Sequence, residues 1–436
     1  MSTNNRFHIS SPMLKYLSLI MSIRLIFDIA YRYIISTLFS YMGFNNGATI
    51  TTQIFSWILL IVFSTFLFKA YLNINNVVSH EIIFLLFIIS FLPFTSLLGF
   101  NAFPLPFSLS FIVYWFILIS LLLYVKTNYG KNMITFSYKG NKAVGDSELI
   151  VILLIFFVVV ALISGIYTNF RITFDLLDVY DNRAEARNVE LPTIITYIYS
   201  WSRALNSIII VYFLRKKKYI WVIICGLTQV LSFGFDGSKT TLFLLLIAII
   251  VGKMPSFSIT RLNNWFLIGI LLLSIISVLS NFLFNNIVLS SLFIRRVFYL
   301  PLEISNNYFD FFSNHQPDFF RQSFLRYFGF KSPYPPISRM IGKLYYNSDF
   351  MSANNGLLSD AIANLGYVGI LVFPILITIV LKTLDGCSFA LDRRILFTVS
   401  IYVSFVFVNS FLFTVLLTHG LLLLMVLLSF MDRHLS

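Results

Sequence analysis

Seven basic side chains (Arg295, Arg296, Arg321, Arg326, Lys331, Arg339 and Lys343) share one polar stretch, from about residue 285 to 355, with four acidic ones (Glu303, Asp310, Asp318 and Asp349). Phe309, Phe311, Phe312, Phe319, Phe320, Phe324 and Phe328 are interleaved with them. Arginine makes planar, bidentate contacts with phosphate oxygens, so this mixture suits a phosphate-bearing head group at a membrane surface. His315 is the only one of the five histidines inside the stretch. With a reference pKa of about 6.5 it could take a proton from a sugar hydroxyl. Asp310, Asp318 and Glu303 compete for that role, and no two of these carboxylates have a spacing that identifies an acid–base pair. The plainer reading of His315 is polar surface.

A smaller polar stretch, about 169–193, contains Asn182-Arg183-Ala184-Glu185-Ala186-Arg187. Asn182 is a credible N-cap, and Glu185 can reach back to complete a capping-box-like start. Arg183 and Arg187, at i and i+4, would then leave one helix face together, as a pyrophosphate requires. They could equally pair with Asp178, Asp181 and Glu190, because this stretch has three basic and five acidic residues. In the larger stretch, Pro317 followed by Asp318 predicts a helix start. Such a helix puts Phe320, Phe324 and Phe328 on one ridge, with Arg321 and Arg326 off it. The pattern predicts an amphipathic helix at the outer interface, or one packed on the bundle with its arginines as anchors.

The elements that must position these residues are apolar. The chain has 436 residues, 58% hydrophobic and 11% charged, with a mean hydropathy of +0.85, against about 45–50% and about 25% in soluble domains. Runs of about 18–22 apolar residues can each cross a hydrocarbon core of about 30 Å. The expected fold is a single all-α, polytopic membrane domain over residues 1–436. Twelve spans are expected near 14–35, 52–72, 81–99, 108–125, 148–168, 194–214, 219–235, 239–252, 264–283, 359–381, 394–413 and 415–431. The first run carries Arg24, Asp28 and Arg32, which can neutralise one another along one face, and it reads as a retained span rather than a signal peptide. Cys225 and Cys387 offer neither a disulfide framework nor a metal spacing. With no HExxH and no CxxC, no metal and no cofactor is expected. A net charge of +13 in such a chain meets phospholipid rather than nucleic acid.

Orientation follows from the short connections. Lys126 to Lys142, Arg215 to Lys218, Lys253 with Arg261, and Lys382 with Arg393 and Arg394 all fall on one side of a twelve-span layout. The positive-inside rule makes that side cytoplasmic, with both termini. Stretches 169–193 and 285–355 are then the outer loops. Arg203, near the middle of the sixth span, must face the bundle interior, either functionally or bonded to Asn206 or Asp236. Asp236-Gly237-Ser238-Lys239 reads as a tight outer turn, and it lacks the full phosphate-loop pattern.

The layout, with a large outer loop between the ninth and tenth spans, resembles the Wzy-type O-antigen (oligosaccharide repeat-unit) polymerases, relatives of the O-antigen ligases. Three stretches carry the likeness: Arg295-Arg296 through Asn314-His315-Gln316-Pro317 to Arg321; Asp236-Gly237-Ser238-Lys239; and Asn354-Asn355-Gly356 with Asp360, Asn364, Gly366 and Gly369. The resemblance implies a bundle like that of the lipid-carrier (C-type) glycosyltransferases, in a bacterial inner membrane. It implies transfer of a growing glycan from undecaprenyl pyrophosphate onto a lipid-linked repeat unit at the periplasmic face. It also implies a chain-length-regulating co-polymerase as partner. Essential arginines in two periplasmic loops would correspond to Arg183 or Arg187 and to Arg295, Arg296 or Arg321. With the chemistry above, this gives His315, Arg321 and Arg296 as candidate catalytic residues. Arg183, Arg187, Arg203, Arg295 and Arg326 are candidate pyrophosphate ligands. An O-antigen ligase or a flippase are the competing functions.

Overall fold

The computed structural model describes residues 11–72, 77–125, 146–172, 185–186, 189–255 and 257–433. These residues form helices, turns and extended links, without a strand among them. Backbone groups in hydrocarbon must find their partners within the segment, which is why the long apolar runs become helices. Eight helical stretches among the described residues are long and apolar enough to cross a membrane, as expected of a polytopic membrane protein. They are α2 (Ile50–Leu72), α3 (Val78–Gly99), α4 (Leu105–Tyr124), α5 (Asp146–Thr168), α6 (Thr193–Arg215), α7 (Tyr219–Asp236), α9 (Ile259–Phe284) and the broken run Leu358–Cys387. The other four expected spans fall on helix that is shorter or more charged: α1 (Ser11–Ala30), α8 (Lys239–Lys253), α14 (Arg393–Asn409) and α16 (Leu421–Phe430).

Two of those spans differ from expectation by being interrupted. The stretch read as 359–381 is a short helix, α12 (Leu358–Leu365), and a longer one, α13 (Gly369–Cys387), joined through Gly366 at a φ of 59°. The stretch read as 415–431 is α15 (Leu412–Leu416) and α16, separated at Gly420 with a φ of 73°. Both glycines take the left-handed backbone that side chains resist. The two breaks interlock, because the Asp360 carboxylate of α12 accepts a 2.5 Å hydrogen bond from the Leu412 amide that starts α15.

The stretch expected as a polar outer loop is more ordered and more buried than its composition indicates. A wide-turned helical segment, Ser290–Tyr299, runs into α10 (Leu300–Asn314), and α11 (Ile337–Tyr346) follows later. Ile294, Phe298, Tyr299, Leu302, Tyr308, Phe309 and Phe312 are buried. Tyr299 donates to the Phe27 carbonyl of α1 at 2.9 Å, and Phe309 packs edge-on against Phe107 of α4. Half of the segment is thus a packing layer on the spans.

The helix expected from Pro317 is absent. Residues 317 and 318 are extended link, 319–323 are turn, and Phe324–Phe328 is a single tight 3-10 turn. The amides there are already committed. Asp318 and Phe319 donate to the carbonyls of Ala363 and Asn364 at the end of α12, at 2.7 and 3.1 Å. Phe319 and Phe320 have φ of 53° and 62°, which no α-helix tolerates. Phe320 and Phe324 still share an aromatic surface with Phe413, while Phe328 is exposed.

One end of the bundle is tied by charge. Asp146 at the start of α5 pairs with Lys216 at 2.8 Å and Lys218 at 2.5 Å, and Lys216 also pairs with Asp432 at 3.3 Å. Arg215 reaches Asp392 at 3.6 Å, and Arg394 bonds both Asp392 and the Met254 carbonyl. The basic connections expected on a common side that are described here therefore do meet at one end. In α1, Arg24 pairs with Asp28 at 2.8 Å, whereas Arg32 is exposed against Tyr33.

Candidate functional site

Arg203 organises the opposite end. Its Nη1 meets Asp236 Oδ2 at 2.5 Å, and its guanidinium lies 4.9 Å from the centre of the Tyr199 ring. Asp236 ends α7, and its other oxygen accepts the Ser238 amide at 2.8 Å, so the same carboxylate fixes both the arginine and the 236–239 turn. Asp236 is the partner that the ion pair selects. Asn206, the other expected one, is fully buried with neither amide atom hydrogen-bonded. The Arg203 side chain keeps 27% of its exposure. Asp236 Oδ2 is the one acceptor its guanidinium bonds among the described residues. Charge held on one carboxylate oxygen leaves further N–H groups of the guanidinium without an acceptor among the described residues.

The break between α15 and α16 packs on Trp201, two residues before this arginine. Trp201 donates to the Leu417 carbonyl at 2.8 Å, and Tyr197 lies beside Thr418 and Tyr327. Tyr402 of α14 donates to the His419 carbonyl at 2.5 Å. The Arg203 charge acts on both Tyr402 and His419. Carbonyls freed by the interrupted helix thus find side-chain donors.

Arg326 arrives at the same place from the large loop. It bonds Tyr327 at 3.4 Å, and its charge also acts on Tyr197. Arg326, bonded to it, pulls the Tyr327 phenol below its ordinary range. Tyr197 precedes Arg203 by six positions, about 9 Å along α6. Arg326 thus bears on the start of α6, one and a half turns or more before Arg203.

The remaining expected residues have other surroundings. Arg321 turns back on its own loop, with Nε donating to the Asp318 carbonyl at 2.6 Å and Nη2 to the Pro317 carbonyl at 2.9 Å. Arg295 bonds Ser291, approaches Met42 Sδ at 3.1 Å and covers the Phe39 ring at 4.3 Å. Arg296 beside it is exposed. His315 ends α10, bonded to the Phe311 carbonyl at 2.8 Å and stacked flat on the Phe311 ring at 4.0 Å. Nearby Glu303 is buried against Gly43, and burial pushes its carboxyl up to about 7. Arg183 and Arg187 lie outside the described residues. Among the described residues no three His, Cys, Asp or Glu side chains gather as metal ligands.

Little in the sequence shows that His419, Tyr402 and Trp201 gather at this end of the bundle. The only local signal was Gly420, a helix-breaking residue directly after a histidine in an apolar run. No family model matches the chain, and neither a curated protein nor a solved structure matches it.

Proposed function

We propose that this protein is a glycan polymerase of a bacterial inner membrane, with both termini cytoplasmic. It moves a growing chain from undecaprenyl pyrophosphate to the non-reducing end of a lipid-linked repeat unit on the outer side. The observation that carries this reading is the partly exposed Arg203, held on Asp236 with donor edges to spare, at the end of the bundle away from the basic connections. Pyrophosphate is already a good leaving group, so the reaction needs cations for the developing charge more than it needs a strong acid. Arg203 and Arg326 supply two, and a weak base near the acceptor hydroxyl completes the set. An activated lipid donor also removes any need for ATP. The partners on this reading are the lipid-linked oligosaccharide, membrane lipids and a chain-length-regulating co-polymerase.

A lipid-linked oligosaccharide transporter is the second reading, favoured by the two interrupted helices that meet at Asp360 and Leu412. Broken spans of this kind hold substrates in transporters. Purified protein given lipid-linked repeat units separates the two. The polymerase builds a ladder of products, while a transporter or a ligase builds none. Arg203→Ala should lower ladder formation by about 10²–10³-fold, the effect of losing one charge-stabilising donor. Arg203→Lys should recover only part of it, because an ammonium lacks the bidentate fork. An unchanged ladder from Arg203→Ala would move the pyrophosphate site elsewhere.

A further inference from the structure

The break before α16 carries His419 between Leu417 and Gly420, which both meet Trp201 two residues before Arg203 in α6, and several side chains hold it there. We infer that His419 is the proton acceptor of the transfer, an inference that rests on the polymerase reading. Its main chain is fixed on two sides, by Tyr402 bonding its carbonyl at 2.5 Å and by Trp201 bonding the Leu417 carbonyl at 2.8 Å. Gly420 is required next to it. Its φ is 73°, and a Cβ there would stand 2.6 Å from Trp201 Cδ1. The imidazole is fixed as well, with Nε2 and Ser410 Oγ 2.8 Å apart. When Nε2 carries the hydrogen and donates to Ser410, Nδ1 holds the lone pair. Nδ1 has no hydrogen bond among the described residues, and the half-buried ring remains reachable.

His315, the histidine singled out by its place in the polar loop, has a different setting. Its hydrogen bond and its ring contact are both with Phe311. His419 instead lies within the electrostatic reach of Arg203. A base and a leaving-group cation belong side by side in this chemistry. The acceptor O–H bond breaks and its proton passes to Nδ1. The freed oxygen bonds the anomeric carbon, whose bond to the pyrophosphate oxygen breaks. That electron pair leaves on the lipid pyrophosphate beside Arg203. The imidazolium then returns its proton to water.

The test uses the full chain in detergent with lipid-linked repeat units, in wild-type, His419→Gln and His419→Gly forms. Loss of a general base should lower kcat of His419→Gln by about 10²–10⁴-fold, with KM changed less than about threefold. A melting shift on adding undecaprenyl pyrophosphate should persist in both variants, showing that the fold and the Arg203 site survive. Free imidazole should restore part of the rate to His419→Gly and none to His419→Gln. Wild-type kcat in His419→Gln would overturn the assignment. So would loss of the melting shift together with failure of imidazole rescue, which would make His419 a structural residue. A wild-type protein that forms no ladder removes the polymerase reading itself, and this inference with it.

Discussion

The side-chain oxygen of Asn364 accepts the main-chain amide of Phe320 at 2.9 Å, while its Nδ2 donates to Asp360 at 2.7 Å. One buried amide therefore joins the large loop, the end of α12 and the carboxylate that receives α15. Removing it leaves the Phe320 amide and one Asp360 oxygen short of a partner, at a cost of about 1–3 kcal/mol. Asn364→Ala should melt at lower temperature, and trypsin should cut it faster after Arg321 and Arg326. Arg321→Ala, which removes the first of these cut sites, should still be cut faster after Arg326, because its guanidinium holds the Pro317 and Asp318 carbonyls. Wild-type digestion rates in both variants would refute the docking role.

Glu303 gives the stability a pH dependence of known sign. Burial pushes its carboxyl up to about 7, above the value of about 4.3 that an exposed glutamate has. A carboxyl raised in this way favours the fold in its neutral form, so stability is fully present at low pH. It is lost as pH rises from the ordinary value to the raised one, by about 4 kcal/mol in all. Glu303→Gln stays neutral throughout. It should therefore raise the melting temperature above wild type at pH 8 and leave it close to wild type at pH 4. An equal shift at both pH values would show that the carboxyl is not buried uncharged.

The charge-tied end of the bundle should face the cytoplasm. Alkaline phosphatase fused after Lys217, among the residues that gather around Asp146 and Asp432, should be silent. The same enzyme fused after Asn314, at the end of α10, should be active. The reverse pattern would invert the orientation and place the Arg203 site on the wrong side for a lipid-pyrophosphate donor.

Eight of the expected spans were legible in the sequence because hydrocarbon leaves an apolar run few alternatives to helix. The breaks were not, since Gly366 and Gly420 sit inside apolar runs and a single glycine is often tolerated in a helix. The Phe320, Phe324 and Phe328 spacing gave the wrong answer for a specific reason. It matched a helical period, but the amides of that segment were claimed by α12, more than forty positions further on. Arg203 with Asp236 was readable as one of two options, because an arginine within a span needs a partner. His419 was not readable as its neighbour, since the residues that hold it, Trp201 and Tyr402, come from two other helices.

The shortness of α16 also bears on the lipid around the protein. Its ten residues rise about 15 Å, half of a hydrocarbon core of about 30 Å. Along that flank the remaining depth is filled by the interrupted 410–420 segment and by the aromatic side chains that satisfy it. Surrounding acyl chains must shorten their reach there, or polar groups must extend to meet the interface, each at a fraction of a kcal/mol per ångström of mismatch. A bilayer around this flank would bear on the backbone that Trp201 and Tyr402 hold, a mechanical route from membrane composition to that end of the bundle.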